Sequence, residues 1–494
     1  MNLKLLDGTT KTPYPNKCYL PFILYPPGMH ANTEGSQFLE NHINMHEDGD
    51  DFVMYISIPF CRVRCKGCPY FVSLLTEKDP DNREDIYVDA LIKDIKHWAQ
   101  FNKWRTSKLR SIYIGGGTGS ILRTENLKRL VDVLFENYDI PEDYELTLEG
   151  NARDLTDDKI AYIASSEITR VSLGVQSFQP EILNVIGSPH AAQDSIDVIK
   201  KLQKAGMKNI QMDLMYNMPG HTLDIWQRDL KMLSDLDVPH FTIYLYRIHT
   251  DTPQDRLIKK GLVKKPEDPE TPMVKAMYSE AKKAAENMGY TMYMKDHFCK
   301  PGYENMYNHW NFRVDVDTLG IGPGSYSFFG EYRLGSENNI KKYIECVNNN
   351  EFLISTVSIK LNERMRRERY LVFALLYYEI DFDYYYQKFS THFLEDFGEE
   401  VTRLECKGLV TLTDSKMVLT QEGYNWHINM ILEFFNDEFW EDTKALDVPH
   451  WSLNGIGVEV GAKKRHYWLG DKNQTFFTEV DLLEHDDKIA INES

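Results

Sequence analysis

The sequence predicts an α/β fold, in which a partial (β/α)6 barrel is followed by a helical, winged-helix-like domain. Between residues 51 and 250, six short β-branched or apolar runs alternate with amphipathic stretches, which is the pattern of a parallel sheet of βα units. Six units are fewer than the eight of a closed barrel, so we expect a curved sheet that stays open on one side. After about residue 355, helical segments precede a two-stranded ribbon and a last helix, which favours the winged-helix-like domain.

The six runs predict six strands, and each is followed by a segment with helical periodicity or by a loop. The strands are expected at Phe52–Pro59, Ser111–Ile114, Glu145–Glu149, Arg170–Gly174, Asn209–Met215 and Phe241–Tyr246. Helices are expected near 83–101, 124–137, after Thr156, near 190–205 and after Thr222. Thr124, Thr156 and Thr222 fit N-caps, whose hydroxyls accept from free backbone N–H groups, and they need no functional role.

The length of 494 residues predicts more than one domain. We expect an N-terminal arm at 1–50, the barrel at 51–330, the winged-helix-like domain at 331–436 and a C-terminal appendage at 437–494. The arm is rich in proline, which favours an extended segment over a helix. It either covers the sheet or brings Tyr25 and Pro26 to the mouth of the active site.

Composition excludes several classes of partner. With 56 basic and 75 acidic residues, the formal charge of −19 disfavours sequence-independent binding to nucleic acid or to an anionic membrane surface. No apolar run is long enough to span a bilayer, so we expect a cytoplasmic protein. The seven cysteines are odd in number and mostly far apart, which indicates a reducing compartment. Four of them are expected to be free thiols: Cys18, Cys299, Cys346 and Cys406.

The other three cysteines lie within eight residues, directly after the first predicted strand. Cys61, Cys65 and Cys68 form a C-x3-C-x2-C loop. Three soft thiolates at the end of a strand indicate an iron–sulfur cluster with one iron free to bind a small molecule. The alternatives are a zinc loop or three unrelated buried thiols. Zinc loops usually have a second cysteine or histidine pair downstream, which this sequence lacks.

Further candidate groups follow successive strands of the predicted barrel. A glycine run, Gly115–Thr118, follows the second strand and leaves room for close backbone approach. Glu149, Gln176 and Asp213 belong to the third, fourth and fifth strands, so we expect them to converge at the carboxyl ends of the sheet. There they are suited to bind the hydroxyls and the amine of a nucleoside ligand. Each group alone is equally typical of a tight turn or a helix cap.

Six motifs in order resemble one family. The chain is similar to the radical S-adenosylmethionine (SAM) branch typified by oxygen-independent coproporphyrinogen III oxidase, over roughly residues 50 to 330, and 408–429 is similar to that branch's C-terminal domain. The resemblance implies a radical SAM barrel, a small-molecule substrate and a one-electron donor such as flavodoxin or ferredoxin. The six motifs are Ile58–Cys68, Gly115–Thr118, Leu148–Asn151, Arg170–Phe178, Asp213–Thr222 and Leu319–Ser327.

The resemblance also implies roles for individual residues. Cys61, Cys65 and Cys68 would hold a [4Fe–4S] cluster whose reductive cleavage of SAM gives a 5′-deoxyadenosyl radical. The remaining candidates would surround SAM. Gly116, Gly117 and Thr118 would contact its methionine part, and the rest of the cofactor site would comprise Tyr55, Tyr70, Glu149, Gln176 and Asp213.

Departures from the family pattern bear on the reaction. Tyr70 stands where the oxidases have a further cysteine, Gly119 stands where relatives usually have proline, and Ser188-Pro189 replaces an arginine. The first hypothesis is therefore a class C-type methyltransferase, in which a second SAM alkylates an sp2 carbon of an unsaturated or aromatic substrate such as a tetrapyrrole. Tyr25 and Pro26 resemble segments that contact the second SAM or the substrate.

Two alternatives remain open from the sequence. One is porphyrin oxidation of the kind that the family typifies. The other is a haem chaperone, for which His297 and His309 are the candidate haem ligands, although both are equally typical of hydrogen-bonded loop histidines.

Overall fold

The computed structural model describes residues 13–14, 25–26, 29–35, 37–43, 51–68, 70, 72–249, 252–351 and 354–436, and the backbone of four strands between residues 456 and 481. The chain divides into two compact units, of which one spans Met29–Val357 and the other combines Met1–Gly28 with Ser358–Ser494. The boundaries predicted at residues 50, 330 and 436 stay predictions. None of the helices in these described ranges is long and apolar enough to cross a membrane.

The unit Met29–Val357 contains the predicted barrel and further strands on both sides of it. Its strands are β1 His30–Ala31, β2 Phe52–Ile58, β3 Phe60–Cys61, β4 Ser73–Leu74, β5 Leu109–Gly116, β6 Glu145–Gly150, β7 Arg170–Gln176, β8 Asn209–Tyr216, β9 His240–Leu245, β10 Thr291–Met294, β11 His297–Cys299, β12 Asp317–Ile321, β13 Tyr326–Phe329, β14 Tyr332–Ser336 and β15 Ile354–Val357. Its helices are α1 Gln37–Ile43, α2 Arg83–Trp98, α3 Asn102–Thr106, α4 Thr124–Asn137, α5 Asp157–Ser165, α6 Pro180–Ile186, α7 Ala192–Lys204, α8 Leu223–Leu236, α9 Pro253–Lys259, α10 Pro272–Asn287, α11 Met306–Asn311 and α12 Ile340–Asn348.

Six parallel strands form the centre of the sheet, in the order β2-β5-β6-β7-β8-β9. This confirms the predicted α/β fold, because neighbours in the sheet are also neighbours along the chain. The sheet continues beyond the prediction to 13 strands, with β12 parallel to β2 and shorter antiparallel strands at both edges. These outer strands have only two to five residues, which is too short for alternation to be visible in the sequence.

The unit made of Met1–Gly28 and Ser358–Ser494 carries the predicted helical region. Its strands are β16 Glu379–Asp381, β17 Val410–Leu412, β18 Lys416–Leu419, β19 Ile456–Val460, β20 Lys463–Leu469, β21 Thr475–Phe476 and β22 Glu479–Asp481. Its helices are α13 Glu363–Ala374, α14 Phe382–Phe389, α15 Phe393–Cys406 and α16 Gln421–Leu432. The predicted ribbon is present as β17 and β18, and β16 joins it as a third strand.

The amphipathic pattern of Glu363–Phe389 predicts one long helix, and this prediction is wrong. The structure has α13, a short strand and α14 in its place. Tyr378 ends the first segment in the left-handed conformation, with φ of 72°. The Asp381 side chain then accepts from the Tyr384 N–H at 2.9 Å and caps α14. The acidic cap lies inside a continuous amphipathic pattern, which hid the break.

Of the three predicted threonine caps, Thr222 is confirmed, because its side chain accepts from the Ile225 N–H. Thr156 holds the N-cap position without a side-chain cap bond. Thr124 is wrong as a cap, since it is already the first helical residue of α4. Its hydroxyl donates to Asp158 at 2.6 Å instead, which ties the start of α4 to α5.

Candidate active site

The six parallel strands present an apolar face to the helices and a polar face to the barrel interior. Residues alternate between the two faces of a strand, so Ile112 and Leu146 are fully buried in the core. Their neighbours form polar rows across the sheet. Tyr113 pairs with Thr147, and Glu149 pairs with Ser172 on the next strand. Most of the predicted cofactor contacts lie on this polar face or at its carboxyl edge.

The cysteine loop leaves the end of β2 and is fixed by backbone hydrogen bonds. The Lys66 N–H donates to Ile186 O at 2.9 Å, at the end of α6, and the Cys68 N–H donates to Cys65 O at 3.2 Å. The Leu75 N–H donates to Cys61 O at 3.0 Å and so returns the chain beside β3. The loop is therefore held between α6 and a two-stranded sheet.

Two basic side chains within the loop are used to anchor it. Arg62 donates from Nε to Asp154 at 3.1 Å and from a terminal nitrogen to Leu75 O at 3.1 Å. Lys66 Nζ reaches Val185 O at 3.2 Å, where a cation suits the negative end of α6. The sequence alone did not distinguish these anchors from solvent-exposed charges, because Asp154 and Val185 are 92 and 119 residues away along the chain.

The three thiols are free and half-buried. Burial raises the pKa of Cys61 to about 12 and that of Cys65 to about 11, and it also raises the pKa of Cys68. The charges of Cys68 and Cys65 raise the pKa of Cys61 further, and the charge of Cys68 raises that of Cys65. Thr118 acts in the opposite direction on Cys61, because its hydroxyl favours the thiolate.

The arrangement of these thiols is compatible with a cluster. Within the described ranges, no three His, Cys, Asp or Glu side chains converge on a point that could hold one metal ion. A cubane cluster takes each thiolate on a different iron, so its ligands need to be neighbours without converging on one atom. The zinc loop stays an alternative prediction from the sequence.

The glycine run passes directly beside the cysteine loop. The Thr118 hydroxyl lies 3.4 Å from the Cys61 sulfur. A Cβ on Gly117 would lie 2.6 Å from Phe60 O and 2.9 Å from Ile58 O, so no side chain is tolerated there. Gly116 has φ of 109°, a conformation that favours glycine. The run therefore leaves bare backbone next to the thiols, as binding of a small amino-acid ligand requires.

Glu149 connects β6, the third of the six parallel strands, to this glycine run. Its Oε2 accepts from the Gly116 N–H at 3.2 Å. Burial raises the pKa of Glu149 to about 7, the Gly116 bond lowers it, and the charge of Asp213 raises it again. The pKa of this carboxyl group thus lies near neutral pH, and its second oxygen can accept a hydrogen bond from a ligand.

Asp213 is held on the same polar face, in the middle of β8 and not at its end as expected. Gln211 Nε2 donates to Asp213 Oδ1 at 2.7 Å, and the Ser172 hydroxyl donates to Oδ2 at 3.2 Å. Burial raises the pKa of Asp213, and these two bonds lower it. Gln211 and Ser172 fix the orientation of this carboxylate, and the strand alternation of polar residues was the sequence signal for them.

Gln176 ends β7 in the left-handed region, with φ of 61°, after an irregularity in the pairing with β8. In the orientation that satisfies its surroundings, its amide nitrogen donates to Gly174 O at 3.1 Å and to Val175 O at 3.2 Å. The carboxamide is therefore bonded to its own strand. The structure places it at the carboxyl edge, as expected, but gives it no bond to Glu149 or Asp213.

Aromatic side chains line the interior next to the carboxylates. Tyr55 stacks on Tyr113 with ring centres 5.8 Å apart, and Tyr307 lies 5.3 Å from Tyr113. Tyr70 is 54% exposed. The resemblance gave Tyr55 and Tyr70, whereas Tyr113 and Tyr307 were not predicted.

The candidates for a second SAM lie in the other unit. Tyr25 is buried there, its hydroxyl donates to Glu368 Oε2 at 2.5 Å, and its ring lies 5.2 Å from Phe435. Pro26 is buried beside it. Their role with a second SAM or a substrate stays a prediction.

The candidate haem ligands and the free thiols differ in their surroundings. His297 donates from Nδ1 to Lys295 O at 2.7 Å, and burial lowers its pKa to about 4. Burial also lowers the pKa of His309. Cys299 is buried with its pKa raised to about 12, which describes an unreactive thiol. Cys346 and Cys406 are free, and Cys18 lies outside the described residues.

Comparison with known proteins identifies the domain. Residues 55–233 match the Radical SAM superfamily. The heme chaperone HemW of Lactococcus lactis subsp. lactis (strain IL1403) is 28% identical over 387 residues, which cover 78% of this chain and 97% of the relative. The oxygen-independent coproporphyrinogen III oxidase of Salmonella typhimurium (strain LT2) is 24% identical over 388 residues, or 75% of this chain and 82% of the relative.

The fold also has a solved counterpart. Coproporphyrinogen III oxidase (HemN) from Escherichia coli, a radical SAM enzyme, superposes with a TM-score of 0.71 at 21% identity over 86% of this chain and 96% of that chain. Radical SAM proteins use a [4Fe–4S] cluster and SAM, and the three thiols beside the bare glycine run fit that pair of cofactors. The chain therefore carries a radical SAM domain at residues 55–233.

Proposed function

We propose that this protein cleaves SAM reductively at a [4Fe–4S] cluster and that its substrate or cargo is a tetrapyrrole, with haem favoured. One observation carries the proposal. Two contacts join the cysteine loop, the glycine run and β6 into one continuous site. These contacts are Cys61 with Thr118 and Gly116 with Glu149. A cluster bound by the thiols would therefore adjoin the groups that suit the amino-acid and nucleoside parts of SAM.

The residues of this chain would bind the cluster and SAM, orient them and exclude water from the site. Cys61, Cys65 and Cys68 would hold the cluster, which supplies the electron that splits SAM into methionine and a 5′-deoxyadenosyl radical. Gly117 lets the glycine run pack directly against the backbone of Ile58 and Phe60, beside the cysteine loop, because it has no side chain. Glu149 and Asp213 present carboxylate oxygens to hydroxyl and amine donors. Ser172 and Gln211 keep the Asp213 carboxylate in place.

The substrate class is proposed from the comparisons and from the aromatic interior. The two relatives described above are named for haem and for coproporphyrinogen, which are both tetrapyrroles. The stacked rings of Tyr55 and Tyr113 offer flat apolar faces to a planar conjugated ligand. We favour haem because the chaperone matches over almost its whole length, and because Tyr70 replaces the cysteine that the oxidases carry.

Methyl transfer, the first hypothesis from the sequence, receives no support from these comparisons. Neither relative is a methyltransferase, and both correspond to the alternatives of porphyrin oxidation and haem handling. We therefore place methyl transfer behind those two. The cytoplasmic location and a flavodoxin or ferredoxin electron donor remain part of the proposal.

Anaerobic turnover separates these possibilities. The reconstituted protein is incubated with SAM and dithionite, together with haem, with coproporphyrinogen III or with neither, and the nucleosides and tetrapyrroles are analysed by mass spectrometry. We expect 5′-deoxyadenosine, with a haem-dependent change in its yield. The triple variant C61A/C65A/C68A should hold no cluster and release none.

Each other outcome has a defined meaning. Stoichiometric haem binding without 5′-deoxyadenosine would make the protein a chaperone without radical chemistry. S-adenosylhomocysteine among the products would restore methyl transfer. A decarboxylated porphyrinogen would establish oxidation. Failure of the wild-type chain to hold a four-iron cluster would overturn the proposal.

A further inference from the structure

Two buried polar side chains beside the cysteine loop lack hydrogen-bond partners. Tyr246 follows β9, and its hydroxyl is buried with no partner among the described residues. Gln254 is the second residue of α9 and is completely buried. In the part of the chain that the structure describes, Gln254 is the one buried side chain that leaves two polar atoms unpaired. Native proteins rarely leave such groups unsatisfied, so each needs an explanation.

Both residues contact the two positions that separate Cys65 from Cys68. The Gln254 N–H donates to Lys66 O at 2.9 Å. The Tyr246 hydroxyl lies where a side chain at Gly67 would be, because a Cβ on Gly67 would lie 2.5 Å from this hydroxyl. Gly67 is therefore required for the approach of Tyr246. The two unpaired groups reach the ligand loop from β9 and α9, outside the motifs that define the site.

The loop backbone does not supply the missing acceptors. The Lys66 carbonyl already accepts from the Gln254 backbone, and the Lys66 N–H donates to Ile186 O. The cysteine thiols on either side of this segment are half-buried and are not bonded to Tyr246 or Gln254. Thiolates and the sulfides of a bound cluster are hydrogen-bond acceptors, and they would be introduced at this place.

We propose that the Tyr246 hydroxyl and the Gln254 carboxamide donate hydrogen bonds to sulfur atoms of the bound [4Fe–4S] cluster and raise its reduction potential. The inference rests on the proposed function, because it requires the cluster. Hydrogen bonds to sulfur stabilise the more negative, reduced cluster and therefore raise the potential. The two residues would be positioning residues that tune the electron transfer to SAM.

Redox titration followed by electron paramagnetic resonance tests this inference on the full-length, cluster-loaded protein. Y246F removes a single oxygen atom, and Q254M removes the carboxamide at similar volume. We expect each variant to shift the reduction equilibrium about tenfold toward the oxidised form, which is a decrease of about 59 mV for a one-electron couple. Electron–nuclear double resonance of the reduced cluster should show the loss of an exchangeable proton coupling in each.

Tyr162 provides a matched control. Its hydroxyl is also buried without a partner among the described residues, but it lies in α5 and not at the cysteine loop. Y162F should leave both the potential and the proton couplings unchanged. Y246F decides the question even where Q254M folds poorly, because a tyrosine-to-phenylalanine change preserves the packing.

Two negative outcomes are distinguishable. If the wild-type chain holds the cluster and Y246F and Q254M match Y162F in potential and couplings, the inference is wrong and the groups bind buried water. If the wild-type chain holds no four-iron cluster, both the proposed function and this inference are wrong.

Discussion

The Glu149 carboxylate accepts a hydrogen bond from the Gly116 backbone N–H at 3.2 Å. The bond joins the glycine run after β5 to the end of β6, 33 residues further along the chain. It also leaves the second carboxylate oxygen available, so one residue can shape the glycine run and bind a ligand.

Alanine at Gly117 should damage the site sterically. Its Cβ would lie 2.6 Å from Phe60 O. Because the Cβ and this oxygen are both attached directly to the main chain, the glycine run has to shift. We expect G117A to lose roughly 1–3 kcal/mol of stability and most SAM binding. Thermal melting and equilibrium binding of SAM measure the two effects.

G398A is the control for this substitution. Gly398 lies in α15, and a Cβ added there would have no neighbouring side chain within 4 Å. Alanine at this position should therefore be neutral or stabilising by about 0.5–1 kcal/mol. Equal melting temperatures for G117A and G398A would contradict the steric argument.

Thr118 should contribute to cluster retention. Its hydroxyl lies 3.4 Å from the Cys61 sulfur and favours the thiolate. A hydrogen bond to an ionised group contributes roughly 1.5 kcal/mol, so T118A should lose the cluster to a chelator about tenfold faster. Absorbance of the cluster during chelation follows the loss. T402A removes an exposed hydroxyl bonded to Gly398 O at 2.7 Å and should match the wild type.

Glu149 should make stability depend on pH. Burial raises its pKa to about 7, from 4.5. Between these values the folded chain holds a proton that the unfolded chain has released, so stability falls as pH rises from about 4.5 to 7. E149Q has no such proton, and relative to the wild type it should gain stability at pH 8 but not at pH 4.5.

The gain is at most roughly 3 kcal/mol, from the displacement of the pKa. Melting temperatures of the cluster-free chain across this pH range provide the measurement. E142Q changes an exposed carboxylate and should follow the wild-type curve. An E149Q gain that is the same at both pH values would show that Glu149 does not titrate as argued.

Tyr25 distinguishes a structural role from contact with a second SAM. Its hydroxyl donates to the buried Glu368 at 2.5 Å. If the role is structural, Y25F should cost about 1–2 kcal/mol of stability and leave the KM for SAM unchanged. The melting temperature and the KM for SAM in steady-state cleavage distinguish the structural role from contact with a second SAM. A raised KM at unchanged stability would instead support the predicted contact, and Y386F, at an exposed tyrosine, is the control.

The barrel was predictable because its evidence is local. Alternation, chain length between strands and turn residues are all contained in short windows, and they predicted the six parallel strands that the sheet contains. The short strands β10 to β15 and the break at Tyr378 were missed for the complementary reason. Strands of three to five residues carry almost no periodic signal, and Asp381 caps a helix inside an unbroken amphipathic pattern.

The sequence by itself determined the proposed cluster-binding loop, because the spacing of Cys61, Cys65 and Cys68 is a property of eight consecutive residues. Only the tertiary structure decided what surrounds the loop. Gly116 with Glu149, Arg62 with Asp154, and Gly67 with Tyr246 are brought together by the register of parallel strands and by the helical crossovers between them. A register is a relation between distant segments, and no local pattern specifies which side chains it places in contact.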